Sequence, residues 1–139
     1  MAAVTVSSDA VKAGVKIDGL KAGAVYCRSA KYTNSGAKDA NSVVKMIPMP
    51  SGARIVRLDW KSSALGTGRT IDIGNATTVD AYVDGASVAT AATGSAVLDT
   101  TLTAAEDIQI KVLGDTLPDE AVLSVHVYYK MAASIKDEA

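Results

Sequence analysis

Apolar and polar residues exchange places at every second position along much of this chain, most regularly in its second half. A period of two is the signature of strands with one buried and one wet face. In LSVHVYYKM, Leu123, Val125, Val127, Tyr129 and Met131 share one face, and Ser124, His126, Tyr128 and Lys130 share the other. DIQIKV sets Ile108, Ile110 and Val112 against Asp107, Gln109 and Lys111. RIVRLDWK places Val56, Leu58 and Trp60 opposite Arg57, Asp59 and Lys61. Less regular strands are expected over residues 25–32, 43–46, 69–73, 81–83, 87–90 and 97–102.

Turn-forming residues punctuate these runs: Asn34-Ser35-Gly36, Pro50-Ser51-Gly52, Gly74-Asn75, Asp84-Gly85 and Gly114-Asp115. No segment carries the three-to-four spacing of a long amphipathic helix. Thr103 and Glu106 have the spacing of a capping box, enough for at most one helical turn. Short strands at regular intervals without helices predict an all-β fold of two packed sheets with Greek-key connections.

The first forty residues are less regular, and we read residues 1–40 as an extended N-terminal arm with the first strand or strands, leading into a β-sandwich domain over 41–139. Val4, Val6 and Ile17 give the arm apolar positions with which to pair with a neighbouring surface or edge strand; an ordinary first strand of the domain is the alternative.

Composition narrows the function. The chain has 139 residues, a formal net charge of −1, one Cys, one His, one Trp and no Phe. One domain with a light core of small residues is expected. The charge balance does not favour nucleic acid or an anionic membrane surface. The N-terminal residues lack the basic and apolar regions of a secretory signal, and no apolar run reaches membrane-spanning length, so cytoplasmic synthesis is expected. A single cysteine cannot close an intrachain disulfide.

Catalytic groups are scarce. His126 falls on the polar face of its strand, and Cys27 reads as small core filler. Too few Cys and His are present for a zinc site, and Asp72, Asp80, Asp84 and Asp115 read as turn-forming residues rather than calcium ligands. The glycine pairs in GLKAG and GTGRT do not build a phosphate-binding loop; in GTGRT they allow a tight connection with positive φ. Arg54, Arg57 and Arg69 read as solvated charges rather than a basic patch. The expectation is therefore a protein with no catalysis, no cofactor, no metal and no small-molecule substrate.

From Ile47 to Met131 the order of elements is IPMPSGARIVRLDW, then ALGTGRTIDIGNATTVDAYVDG, then LTAAEDIQIKVLG, then LSVHVYYKM. This succession resembles the small head structural proteins of tailed bacteriophages, which look like jelly-roll or related β-sandwich decoration (cement) proteins. The resemblance implies a homo-oligomer, a trimer more than a dimer, that binds the major capsid protein on the outer surface of the virion and stabilises the assembled shell. Another virion part, such as a head fibre base or tail protein, and a carbohydrate-binding β-sandwich module are the alternatives. With aromatic residues few, Tyr128, His126 and Tyr82 join Val4, Val6 and Ile17 as interface candidates.

Overall fold

A computed structural model of the chain describes residues 3–8 and 24–131. Among them are nine strands and no helix: β1 (Thr5–Ser7), β2 (Val25–Thr33), β3 (Val43–Met49), β4 (Ala53–Ser62), β5 (Thr70–Gly74), β6 (Val83–Ser87), β7 (Ala92–Thr101), β8 (Glu106–Leu113) and β9 (Val122–Met131). The four-stranded sheet has the order β2-β9-β4-β7 and the five-stranded sheet the order β1-β3-β8-β5-β6. The pairs β5·β6, β4·β7, β3·β8 and β2·β9 are all antiparallel. Strands β2–β9 thus form one long hairpin wound across two sheets, which is the jelly-roll arrangement. Strand β1 pairs in parallel with β3 at the sheet edge, Thr5 opposite Val43 and Ser7 opposite Lys45. Of the expected arm, Ile17 and its neighbours lie outside the described residues.

Alternation predicted the core well where strands run undisturbed. Leu123, Val125, Val127, Tyr129 and Met131 are all buried, as are Ile108, Ile110 and Val112. Tyr129 is the largest of the fully buried side chains, and its ring lies 5.9 Å from that of Tyr26. Strand β4 departs from simple alternation because its register slips between Ile55 and Arg57. Such a bulge turns two successive side chains toward one side. Ile55 is therefore fully buried in the phase where Val56 was expected, and Val56 is only half-buried.

Two other local readings are corrected. Asp84-Gly85 is not a hairpin turn but part of β6: Ile71 pairs with Ala86 and Ile73 with Val83, so Asp84 and Gly85 together oppose Asp72. Gly85 takes φ +67, and its N–H donates to the buried Asp72 carboxylate at 2.7 Å. The residues around Thr103 form a bend rather than a helical turn, and Glu106 opens β8.

The end of β2 is held by a buried side chain. The Asn34 amide donates to the carbonyls of Gly36 at 2.9 Å and Pro118 at 2.8 Å, while its oxygen accepts from the Tyr32 hydroxyl and the Lys38 ammonium. Backbone bonds from Asn34 N–H to Ala121 and from Glu120 N–H to Asn34 complete the clamp between β2 and the approach to β9. At the opposite edge of the same sheet, Trp60 lies over Gly94, where an added Cβ would stand 2.5 Å from the indole.

Two substitutions test these supports. Asn34→Ala removes the buried amide's bonds to the Gly36 and Pro118 carbonyls and its acceptor for Tyr32 and Lys38, with an expected loss of about 1–3 kcal/mol. Gly94→Ala overpacks the indole, and a similar loss of about 1–3 kcal/mol is expected. Urea unfolding checks both; a lowered midpoint at unchanged slope is the expected result.

Candidate interface surface

The outer face of the four-stranded sheet is a grid whose rows line up across the strands on either side of the slip in β4. Across β2, β9, β4 and β7 the outward rows read Val25-Lys130-Arg54-Thr101, Cys27-Tyr128-Arg57-Val97, Ser29-His126-Asp59-Ser95 and Lys31-Ser124-Lys61-Thr93. Two of the expected interface residues, His126 and Tyr128, are therefore brought side by side on one open sheet face.

The middle of this grid is neutralised internally. Arg57 Nε donates to Asp59 at 2.9 Å, Ser95 Oγ donates to the same carboxylate at 2.7 Å, and the guanidinium stands 5.9 Å from the centre of the Tyr128 ring. Arg54 Nε meets Asp99 at 2.7 Å. The hydrogen bond from Ser95, then that from Arg57, hold the Asp59 carboxyl below the usual carboxylate range. The Tyr128 phenol is raised, first by the negative charge that Cys27 can carry and then by desolvation. Exposed pairs of this kind add little stability singly; they fix side-chain positions across the face.

One end of the grid is not neutralised. Lys31 and Lys61 flank Ser124 in the last row, and neither has an acidic partner among the described residues. A cleft of about 240 Å³ opens beside them, with Ser62, Ser63 and Ser124 in its lining. Ser62 Oγ already donates to the Ser63 carbonyl at 2.8 Å, and it is the two lysines in the lining that suit a carboxylate or another anion.

The remaining expected positions lie elsewhere. Tyr82 is not a surface residue: it is 7% exposed and its hydroxyl donates to Glu106 at 3.0 Å, because residues 75–82 fold back over Gly74 and bring the ring into the core. Val6 packs partly against the core, and Val4 is exposed beside Ser42, whose hydroxyl accepts the Val4 N–H at 3.1 Å. Cys27 is exposed on the grid rather than filling the core, since it falls on the outward phase of β2. Arg69 is removed from Arg54 and Arg57, bonding instead to the Thr116 carbonyl at 2.7 Å. Among the described residues no group of three or more His, Cys, Asp or Glu could hold a metal ion.

No family model matches the chain, and no curated protein matches it in sequence. Solved structures do. A chain of the capsid of Ralstonia phage GP4 superposes with a TM-score of 0.75 at 16% identity, over 92% of this chain and 98% of that one. A chain of the cyanophage Pam1 capsid asymmetric unit gives 0.68 at 19% identity, over 84% and 91% of the two chains. A chain of the acid-stable capsid of Helicobacter pylori bacteriophage KHP30 gives 0.62 at 18% identity, over 79% and 90%. What these chains share with this one is the fold.

The Asp59 geometry predicts a pH dependence. A carboxyl whose folded pKa is lowered contributes stability in full above its unfolded value, about 3.9, and loses that contribution as pH falls through the lowered value. Asp59→Asn should therefore be less stable than the parent at neutral pH, with the difference closing in acid. Unfolding midpoints measured across that range check it; a constant difference at every pH contradicts the assignment.

Proposed function

We propose that this protein is a structural, non-catalytic component of a bacteriophage virion: a capsid decoration protein that binds the outer surface of the assembled major capsid protein shell and stabilises it. The observation that carries this reading is a jelly roll matched over most of its length by chains in three phage capsid structures. Nearly full coverage of those chains means that a whole folded unit is shared, not one supersecondary motif.

The outward grid is the surface we assign to the shell. His126 and Tyr128 lie at its middle, and the lysine-lined cleft at its end takes acidic side chains of the capsid protein. Four strands and seven residues give this face roughly 450 Å². A stable interface buries about 800 Å² on each partner, so one such face is not sufficient. We assign the remaining contact to the segment ahead of β2, reaching the capsid protein or a neighbouring copy, and to homo-oligomerisation. Many modest contacts multiplied over copies then give the avidity that no single site supplies.

Co-sedimentation of the purified chain with undecorated expanded capsids tests the proposal. Saturable binding at a fixed copy ratio, with a raised temperature of capsid disruption, is the expected result. Replacing Lys31 and Lys61 together with Glu should weaken binding by about tenfold or more while leaving the fold intact, because like charges then face one another. Absence of binding by the folded parent protein overturns decoration and transfers the chain to another part of the virion.

A further inference from the structure

Among the described residues the two sheets have four edge strands, and three carry features that discourage pairing. Strand β1 is three residues long, and β6 is five residues long with a bulge at Asp84-Gly85. Strand β2 carries Lys31 and an inward-pointing Arg28, whose guanidinium crosses to the Pro48 carbonyl at 3.0 Å. Short edges, bulges, edge lysines and inward charges are the devices that keep sheets from joining.

Strand β7 has fewer of these protections, its one irregularity being the point where Leu98 and Asp99 together oppose Val56 of β4. It runs for ten residues, ATGSAVLDTT, with no Pro, Lys or Arg, and its single charge, Asp99, is tied sideways to Arg54. It stands at the end of its sheet, so one side of its backbone is unpaired among the described residues. At its middle Val97 is 89% exposed, more than the other exposed large apolar residues.

We propose that β7 pairs antiparallel with β7 of a second copy, joining two four-stranded sheets into one of eight strands. The occupant is argued from the register. Centring a two-fold axis on Val97 opposes it with the second copy's Val97, Ser95 with Asp99, and Thr93 with Thr101 on the outward face. Inward, Ala96 then opposes Leu98 and Gly94 opposes Thr100. No like charges face one another, a serine hydroxyl meets each aspartate, and the partly buried Leu98 and Ala92 extend the core across the junction. A two-fold contact of this kind is self-complementary and closed, giving a dimer in place of the trimer expected from sequence. The outward grids of the two copies become one continuous face. The inference concerns the free chain and stands or falls separately from capsid binding.

Two measurements on the full chain test it. Light scattering and sedimentation should give the mass of two chains, and Val97→Lys should weaken dimerisation by about tenfold or more with an unchanged circular dichroism spectrum. In a Cys27→Ser background, Val97→Cys should form a disulfide-linked dimer on mild oxidation. Directly opposed residues of an antiparallel pair have Cα atoms about 4.5–5.5 Å apart, within disulfide reach. Thr93→Cys in the same background should not cross-link, since its counterpart is Thr101. A monomeric or trimeric parent, a dimer indifferent to Val97→Lys, or equal cross-linking of the two cysteine variants overturns the proposal.

Discussion

Strand β9 has to satisfy two hydrogen-bonded ladders and one apolar face at the same time, and the sandwich depends on its doing so. β2 lies on one side of it and β4 on the other, so it is paired on both sides from Leu123 to Lys130. A polar residue at 123, 125, 127 or 129 would be carried into the core, and a one-residue slip would do so at all of these positions at once. The register that protects the core also aligns the outward rows. The surface grid is thus a by-product of how the interior is kept dry.

The middle of that grid and its Lys31–Lys61 end differ in electrostatics for a structural reason. Near the middle, the bulge in β4 turns Arg57 outward beside Asp59, and the long edge strand supplies Ser95 and Asp99 as partners. At the far end the opposing residues are Ser124 and Thr93, which cannot neutralise Lys31 and Lys61. Like charges separated by one strand repel, and a partner anion removes that repulsion on docking. The same edge strand that stabilises the middle of the face leaves Val97 uncovered, which links the surface assigned to the shell to the edge assigned to self-association.

Most of the core strands could be read from the chain, and part of the candidate surface with them. The placement of His126 and Tyr128 followed from the alternation of β9, because a strand bonded on both sides without a bulge has no freedom to change phase. Tyr82 and Cys27 could not be placed in this way. Tyr82 lies in a connection that folds back over Gly74, and the phase of β2 depends on its pairing with β9 rather than on its own composition. Val56 was lost to a bulge, which a period-two pattern does not register. Asn34 read as a turn residue; its role as a clamp depends on residues 117–121, distant in sequence and adjacent only in the fold.

Composition predicted a light core of small residues, but the interior is built of Ile, Leu, Met and Val side chains with Trp60, Tyr82 and Tyr129. Legible along the chain were its strands, the buried faces of β8 and β9, and the packing of two sheets. Those properties are local: they follow from side-chain period and turn chemistry within a few residues. Tertiary structure decided the winding of the strands into a jelly roll, the bulges in β4 and β6, the rows that cross four strands, and which edges are left open. Each of these depends on pairing between segments far apart in the chain, and a backbone hydrogen bond carries no record of the side chains on either side of it.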